Sequence, residues 1–213
     1  MIEILHKETG RVLHRLESDH LTQQKLVGVK LEGADLSGLD LSGCDFHNAN
    51  LHHADLSGAN LSRANFYEAN LRGAQLDHVN ASAANFTEAY MEGCHAEQAN
   101  FSQAIFRYAQ LAKCECLHCN FSEADMSMAN LSGDFTESDL YKVDFRGAKL
   151  RSADLTRTEL KGANLENANL EDAVLTDANY QKEQFAHAKT IGAVGLQNAF
   201  QAKPKKAWWR FWE

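Results

Sequence analysis

The chain has 213 residues, 44% of them hydrophobic, enough for one good-sized domain or one repeat array. Its 29 acidic residues outnumber 21 Lys and Arg, and the net charge of -8 argues against a general nucleic-acid binder, because an acidic surface repels a phosphate backbone. Five cysteines, an odd number without the density of a disulfide framework, point to free thiols in a reducing compartment.

The first segment, MIEILHKETGRVLHRL, alternates Ile2 and Ile4, turns at KETGR and resumes with Val12. That pattern predicts a β-hairpin, within residues 1–20, that covers the first layer of whatever follows. Glu3, Lys7 and Glu8 stand where a secretory signal needs an apolar core, and no later run approaches the ~18 apolar residues of a membrane span. A cytoplasmic protein is expected.

A five-residue period then takes over. Counted in fives from Leu31, the positions Leu36, Leu41, Phe46, Leu51 and onward to Leu131 are all apolar. The residue two before each is mostly Ala or Cys, with Leu39 and Val79 as exceptions, and Asn or Asp usually sits between. In an extended segment residues two apart share a face, so the small and the bulky residue point inward while the Asn or Asp points out. A helix stripe needs a period of 3.6 and is excluded. Gly38 and Gly58 fall where a type II turn requires positive φ, so each unit is a short strand plus a corner. Phe46, Phe66, Phe86 and Phe106 recur every 20 residues and Met126 and Phe145 continue the row, so four units make one coil.

The units ANLSR, ADLSG, ANFYE and GANLE resemble the pentapeptide-repeat family, over roughly Leu21 to Lys189. The resemblance implies an all-β fold: a right-handed quadrilateral parallel β-helix of about eight coils over residues 21–190. The N-terminal hairpin would cap one end, and residues 191–213 would form a C-terminal cap and tail. Such a scaffold hosts many unrelated functions.

One interval of four, between Leu131 and Phe135 in NLSGDFTES, interrupts the count. It reads either as a corner tightened with the help of Gly133 or as a kink that breaks the flatness of one face for a partner. The stretch CECLHC, Cys114 to Cys119, obeys the repeat. Cys114 and Cys119 take the small inward position, Cys116 the central one, and Cys94 lies one coil away from Cys114. Buried cysteine serves as a small hydrophobe that offsets bulky Phe neighbours. The rival reading, a zinc or redox site, needs thiolates converging at ~2.3 Å with an entry path, and a core filled with Phe and Leu leaves none. His118 points outward, as do His47, His52, His53, His78, His95 and His187. No catalytic constellation, metal site or cofactor loop emerges, so no enzyme is expected.

Beyond Thr190 the fives fail, and IGAVGLQNAF reads as an irregular or partly helical cover. The last segment, KPKKAWWRFWE, holds the single Pro and all three Trp. Trp208, Trp209, Phe211 and Trp212 fit a plug or a contact with a second copy. With Lys203, Lys205, Lys206 and Arg210 they also fit a membrane-surface anchor, or a peptide ligand for another protein. Residues 31–190 carry 24 acids and 12 bases, so the rod is acidic and the tail basic. Tyr90, Ile105, Tyr108 and Met128 gather outward apolar surface on one wall and its next corner, with Tyr108 and Met128 stacked one coil apart.

These features support a non-catalytic, rigid acidic module that binds a protein, with no direct nucleic-acid binding. The family resemblance implies an alternative, a DNA mimic that binds and protects DNA gyrase or a related topoisomerase. Eight coils at ~4.8 Å give a rod of ~38 Å, a length over which B-DNA carries ~22 charges. The third reading is a scaffold tethered to a membrane through the Trp-rich tail.

Overall fold

The structure is a computed structural model and describes residues 1–196. Its organising feature is parallel pairing between residues one coil apart. Lys25 bridges Asp45, Asn60 bridges Asn80, and the pattern continues to Val174 and Val194. These bridges form four columns, beginning at Lys25, Lys30, Asp35 and Asp40, which are walls one to four of a square β-helix.

Each five-residue unit contributes three bonds to the stack, one of them from the corner, where the residue with positive φ donates its amide to the next coil, as in Arg63 to the Ser82 carbonyl at 3.0 Å. The central apolar residue donates its amide to the next coil, as in Leu61 to the Asn80 carbonyl at 2.7 Å. The outward Asn or Asp donates back, as in Asn80 to Ala59 at 3.0 Å. A fourth bond closes the corner within the unit, as in Ala64 to Leu61 at 3.0 Å. Outside the shortened corner at Gly133 and the turn at Lys182, the third residue of the corners from Gln23 to Asp177 has positive φ, at Gly38 and Gly58 and also at non-glycine residues such as Ala83 (φ 55) and Tyr108 (φ 59). An L-residue there is strained. The same bond pattern above and below fixes the conformation regardless.

The Asn and Asp between the inward residues stabilise the corners. Their side-chain oxygens accept the amide two residues on, as Asp55 does from Ser57 at 2.9 Å and Asn85 from Thr87 at 3.0 Å. Asn side chains also donate to the coil before, giving the ladder Asn100 to Asn80 to Asn60 to Asp40 on wall four. Asx residues favour turns because they supply this local bond.

Inside, the bulky positions are buried from Leu26 to Leu175, and so are the side chains at the small positions except the half-buried Val29 and Leu39 of the first coil. Phe46, Phe66, Phe86 and Phe106 stack with centroids 5.0, 4.9 and 4.8 Å apart and nearly parallel planes. Phe101 and Phe121 form a second stack at 5.0 Å, edge-on to the first. The coil spacing sets this distance, which lies within the favourable range for aromatic pairs.

At the start, β1 (Ile2–His6) and β2 (Val12–Leu16) form the expected antiparallel hairpin, and β1 also pairs antiparallel with β3 (Ala34–Asp35). The hairpin occupies the free edge of the first coil on wall three, and Ile4 is buried beneath it. An unpaired edge is thereby removed.

The four-residue interval is a tightened corner. From the bridge of Glu115 with Asp134 to that of Asn130 with Lys149 the bridging offset drops from 20 to 19, and it returns to 20 at Asp134 and Asp154. Gly133 donates its amide to Leu131 two residues back at 2.8 Å, a turn one residue shorter than the others. A Cβ on Gly133 would lie 2.7 Å from the Cys114 carbonyl oxygen, so close backbone approach requires glycine here.

The C-terminal end departs from expectation. The one helical turn, η1 (Lys182–Phe185), falls inside the repeat, where it replaces the bridge that residue 184 would make on wall one. Gln184 compensates by donating its side-chain amide to the Leu160 and Ala163 carbonyls at 2.8 and 2.6 Å. Past Thr190, in contrast, the coil continues: Ala193 donates to the Thr190 carbonyl and Val194 bridges Val174. The failure of the apolar pattern misled because pairing to the coil beneath, rather than burial, holds this last corner.

Replacing Phe86 by Ala removes the ring that touches both stacks and should destabilise the protein by about 3–5 kcal/mol. Urea unfolding followed by circular dichroism reads this as a lower midpoint, and Phe86→Leu should recover part of the loss.

Candidate interaction surface

The corner joining walls one and two carries the largest concentration of exposed apolar side chains away from the chain's ends. Tyr108 and Met128 sit at its third turn position in successive coils and are 52% and 50% exposed. Tyr90 stands on wall two between Asn70 and Gln110, and Ile105 on wall one between Asn85 and Asp125. The four therefore straddle two walls rather than occupying one wall and its next corner. Fifteen residues is three quarters of a coil, which carries the chain from wall two to the wall preceding it.

Tyr90 and Tyr108 are brought together around a shallow hollow completed by Glu88 and Gln110. Met128 extends the corner by one coil, its sulfur lying over Gly147, where a Cβ would come within 2.5 Å of it. Ile105 faces away from the hollow on wall one. Trp208, Trp209, Phe211 and Trp212 lie outside the described residues.

Sequence reasoning missed the remainder of this corner. His47 and Tyr67 occupy its second turn position and meet edge-to-face at 5.0 Å. Glu68 and Glu88 occupy the third position in the two coils preceding Tyr108. Their hydrogen bonds and charges push the Tyr67 phenol above its ordinary pKa, with Glu68 the larger contributor. The Arg72 guanidinium covers the Tyr90 ring at 4.5 Å and pairs with Glu92 at 2.9 Å. The signal was the twenty-residue spacing of His47 to Tyr67 and of Glu68 to Glu88 to Tyr108, legible once columns are compared rather than neighbours.

The outward histidines line up with acids one coil away: His52 with Glu32 at 3.5 Å, His95 with Glu115 at 3.1 Å and His118 with Glu137 at 3.2 Å. Arg107 and Asp125 pair at 2.6 Å, and Arg157 also reaches Glu137. These are rungs on solvated walls, each worth little by itself. Asp125 also accepts from the Ser127 hydroxyl and amide. Burial would raise its pKa, but those bonds and Arg107 outweigh it and hold the carboxyl below its usual range.

All five cysteines are free and buried. Cys94 and Cys114 sulfurs lie 2.8 Å apart across one coil spacing. Cys114 and Cys44 each have a sulfur within hydrogen-bond reach of a backbone carbonyl, of Met91 at 2.8 Å and Leu21 at 2.7 Å. Hydrogen bonding to Cys114, then burial, pushes Cys94 and Cys116 well up, and burial pushes Cys119 up to about 12. Among the described residues no group of three or more His, Cys, Asp or Glu is arranged to hold a metal ion. None of the described helices is long and apolar enough to cross a membrane.

The pentapeptide-repeat model matches in 8 copies, over residues 20–52, 44–82, 84–115, 106–133, 134–157 and 153–181. The chain belongs to the pentapeptide-repeat family. Solved members share its fold. A trypsin-treated variant of QnrB1, a plasmid-mediated fluoroquinolone resistance protein, superposes with a TM-score of 0.58 at 20% identity, over 83% of this chain and 91% of that one. Full-length QnrB1 gives 0.56 at 21% identity, over 81% and 91%. HetL, a pentapeptide-repeat protein involved in heterocyst differentiation regulation in the cyanobacterium Nostoc, is 28% identical over 82% of this chain and 84% of its own, with a TM-score of 0.37. No curated protein matches the sequence.

Two outcomes follow from this repeat chemistry. In the native protein at pH 8 the thiols should react with an aromatic disulfide reagent far more slowly than in guanidinium, where all five titrate. Acid should destabilise the rod through Asp125: its lowered folded-state pKa gives stability that is present above the unfolded pKa and lost as pH falls through the folded value. Asp125→Asn should weaken the dependence of the melting temperature on pH below about 4.

Proposed function

We propose that this protein is a non-catalytic protein-binding rod whose docking surface is the aromatic corner between walls one and two. The observation that carries the reading is the exposure of Tyr90, Tyr108 and Met128 side by side on a backbone that their own coils hold rigid. Tyr and Met are enriched at protein interfaces, and a surface whose backbone cannot rearrange pays little ordering entropy on binding. The interior offers no alternative, because its small and bulky side chains are closed to solvent from coil to coil. A reducing cytoplasm suits five free thiols.

A second reading, protection of DNA gyrase by imitation of duplex DNA, draws support from the acidic walls and the fold shared with QnrB1. The rod's excess of 24 acids over 12 bases across residues 31–190 gives about half the charge density of B-DNA of that length. The corner, by contrast, offers apolar rings to a partner, which a phosphate backbone does not.

Affinity capture from the native host with wild-type and Tyr108→Asn/Met128→Asn proteins tests the first reading. Partners lost by the double variant, with unchanged circular dichroism, identify the corner as the docking surface; an unchanged capture profile rejects it. Asn tolerates positive φ and so keeps the corner conformation. For the second reading, purified protein should relieve quinolone inhibition of gyrase supercoiling in a dose-dependent manner, and no effect beside active QnrB1 eliminates it.

A further inference from the structure

The aromatic corner carries an electrostatic imbalance. Glu68 and Glu88 stack in adjacent coils, the Glu68 amide bonding to the Thr87 carbonyl, so their backbones lie ~4.8 Å apart. Neither is in an ion pair with Lys, Arg or His among the described residues, whereas Glu92, Glu123, Asp125, Glu137 and Asp144 each are. Like charges stacked this way repel, and aromatic rings, Tyr67 in the coil of Glu68 and Tyr108 in the coil after Glu88, stand beside them, a combination that favours a cation. The complementary ligand is therefore a short segment that combines basic and aromatic side chains.

The chain contains such a segment. Lys203, Lys205 and Lys206 lead into Trp208, Trp209, Phe211 and Trp212, with Arg210 among the rings, in eleven residues that hold a single acid, Glu213. The rod and this run carry opposite charge, and the run can reach. Val194 lies on wall three four coils from the coil of Tyr108, about 19 Å along the axis, and one wall of about 17 Å separates it from the corner. The twelve residues from Leu196 to Trp208 span up to ~40 Å.

We propose that the C-terminal run, residues 203–212, docks on the Tyr67, Glu88, Tyr108 and Met128 corner of its own chain and covers that surface as a self-ligand. This rests on the corner being the docking surface, and it adds a regulatory consequence: an external partner competes with the tail. The tail is a ligand for the middle of the rod, not a plug for its last coil. Ion pairing to Glu68 and Glu88 supplies the salt-sensitive part of the affinity and ring contacts the rest.

All three tryptophans of the protein lie in this run, so tryptophan fluorescence of the full-length chain reports its environment without added label. In wild-type protein at low salt the emission should be blue-shifted, and acrylamide quenching weaker, relative to the guanidinium-unfolded chain. Tyr108→Asn/Met128→Asn and, independently, Glu88→Lys should shift the emission to the red and increase quenching, as should half-molar salt on the wild type. Tyr141→Asn, at an exposed position on another corner, should change neither. Emission already at the unfolded position in the wild type overturns the proposal, as does a blue shift that the corner variants leave intact. A blue shift lost on dilution, with sedimentation showing a dimer, overturns docking within one chain in favour of a second copy. If the tail fails to respond while capture still depends on the corner, the self-ligand is wrong and the docking surface stands.

Discussion

The constraint on which the rest of this molecule depends is equality of perimeter. Each coil is bonded to the next on four walls and at the corners between them, and a bond such as Leu61 to Asn80 forms only if the chain returns to the same wall after one circuit. Twenty residues meet that condition, and the one nineteen-residue circuit meets it by shrinking a corner at Gly133. No strand of the array is long enough to be stable alone. The stack holds because each short unit is paired above and below, as in other solenoids whose stability sums over neighbouring repeats.

Equality of perimeter also dictates side-chain chemistry. A fixed coil spacing near 5 Å brings like positions into contact, so flat rings stack face to face along one column and cysteine sulfurs meet along another. Outside, the same spacing turns Asn and Asp into ladders and His, Arg and Glu into rungs. The polar residues serve the corners first, accepting amides that would otherwise lack partners. Among the described residues the interior is filled and many Asn and Asp side chains are committed to turns.

The outer surface is uneven in one informative way. Most corner positions hold Ser, Gly or charged residues. The corner of Tyr67, Glu88, Tyr108 and Met128 presents a half-buried ring, an exposed ring, an exposed thioether and two stacked carboxylates, Glu68 and Glu88, that are in no ion pair among the described residues. A basic, Trp-rich segment is its chemical complement, and the chain ends in one.

The period of five, the Phe recurrence at 20 and the Ile2, Ile4 and Val12 alternation determined by themselves the coil, its four walls, its inward residues and the capping hairpin. They suffice because a repeat makes spatial neighbours of residues at a constant separation, so local pattern and tertiary contact carry the same information. The four-residue interval was equally legible as a shortened corner. What only the tertiary structure decided lies where that constancy fails or where several columns meet. Pairing with the coil beneath, not burial, extended the array to Val194, and a side chain, Gln184, replaced a backbone bridge beside η1. Tyr90 and Ile105 proved to face different walls, and Tyr67, Arg72 and Glu88 joined the corner from other coils. Those groupings depend on the angle at which walls meet and on side-chain reach across a corner, and neither is encoded in the spacing of residues along the chain.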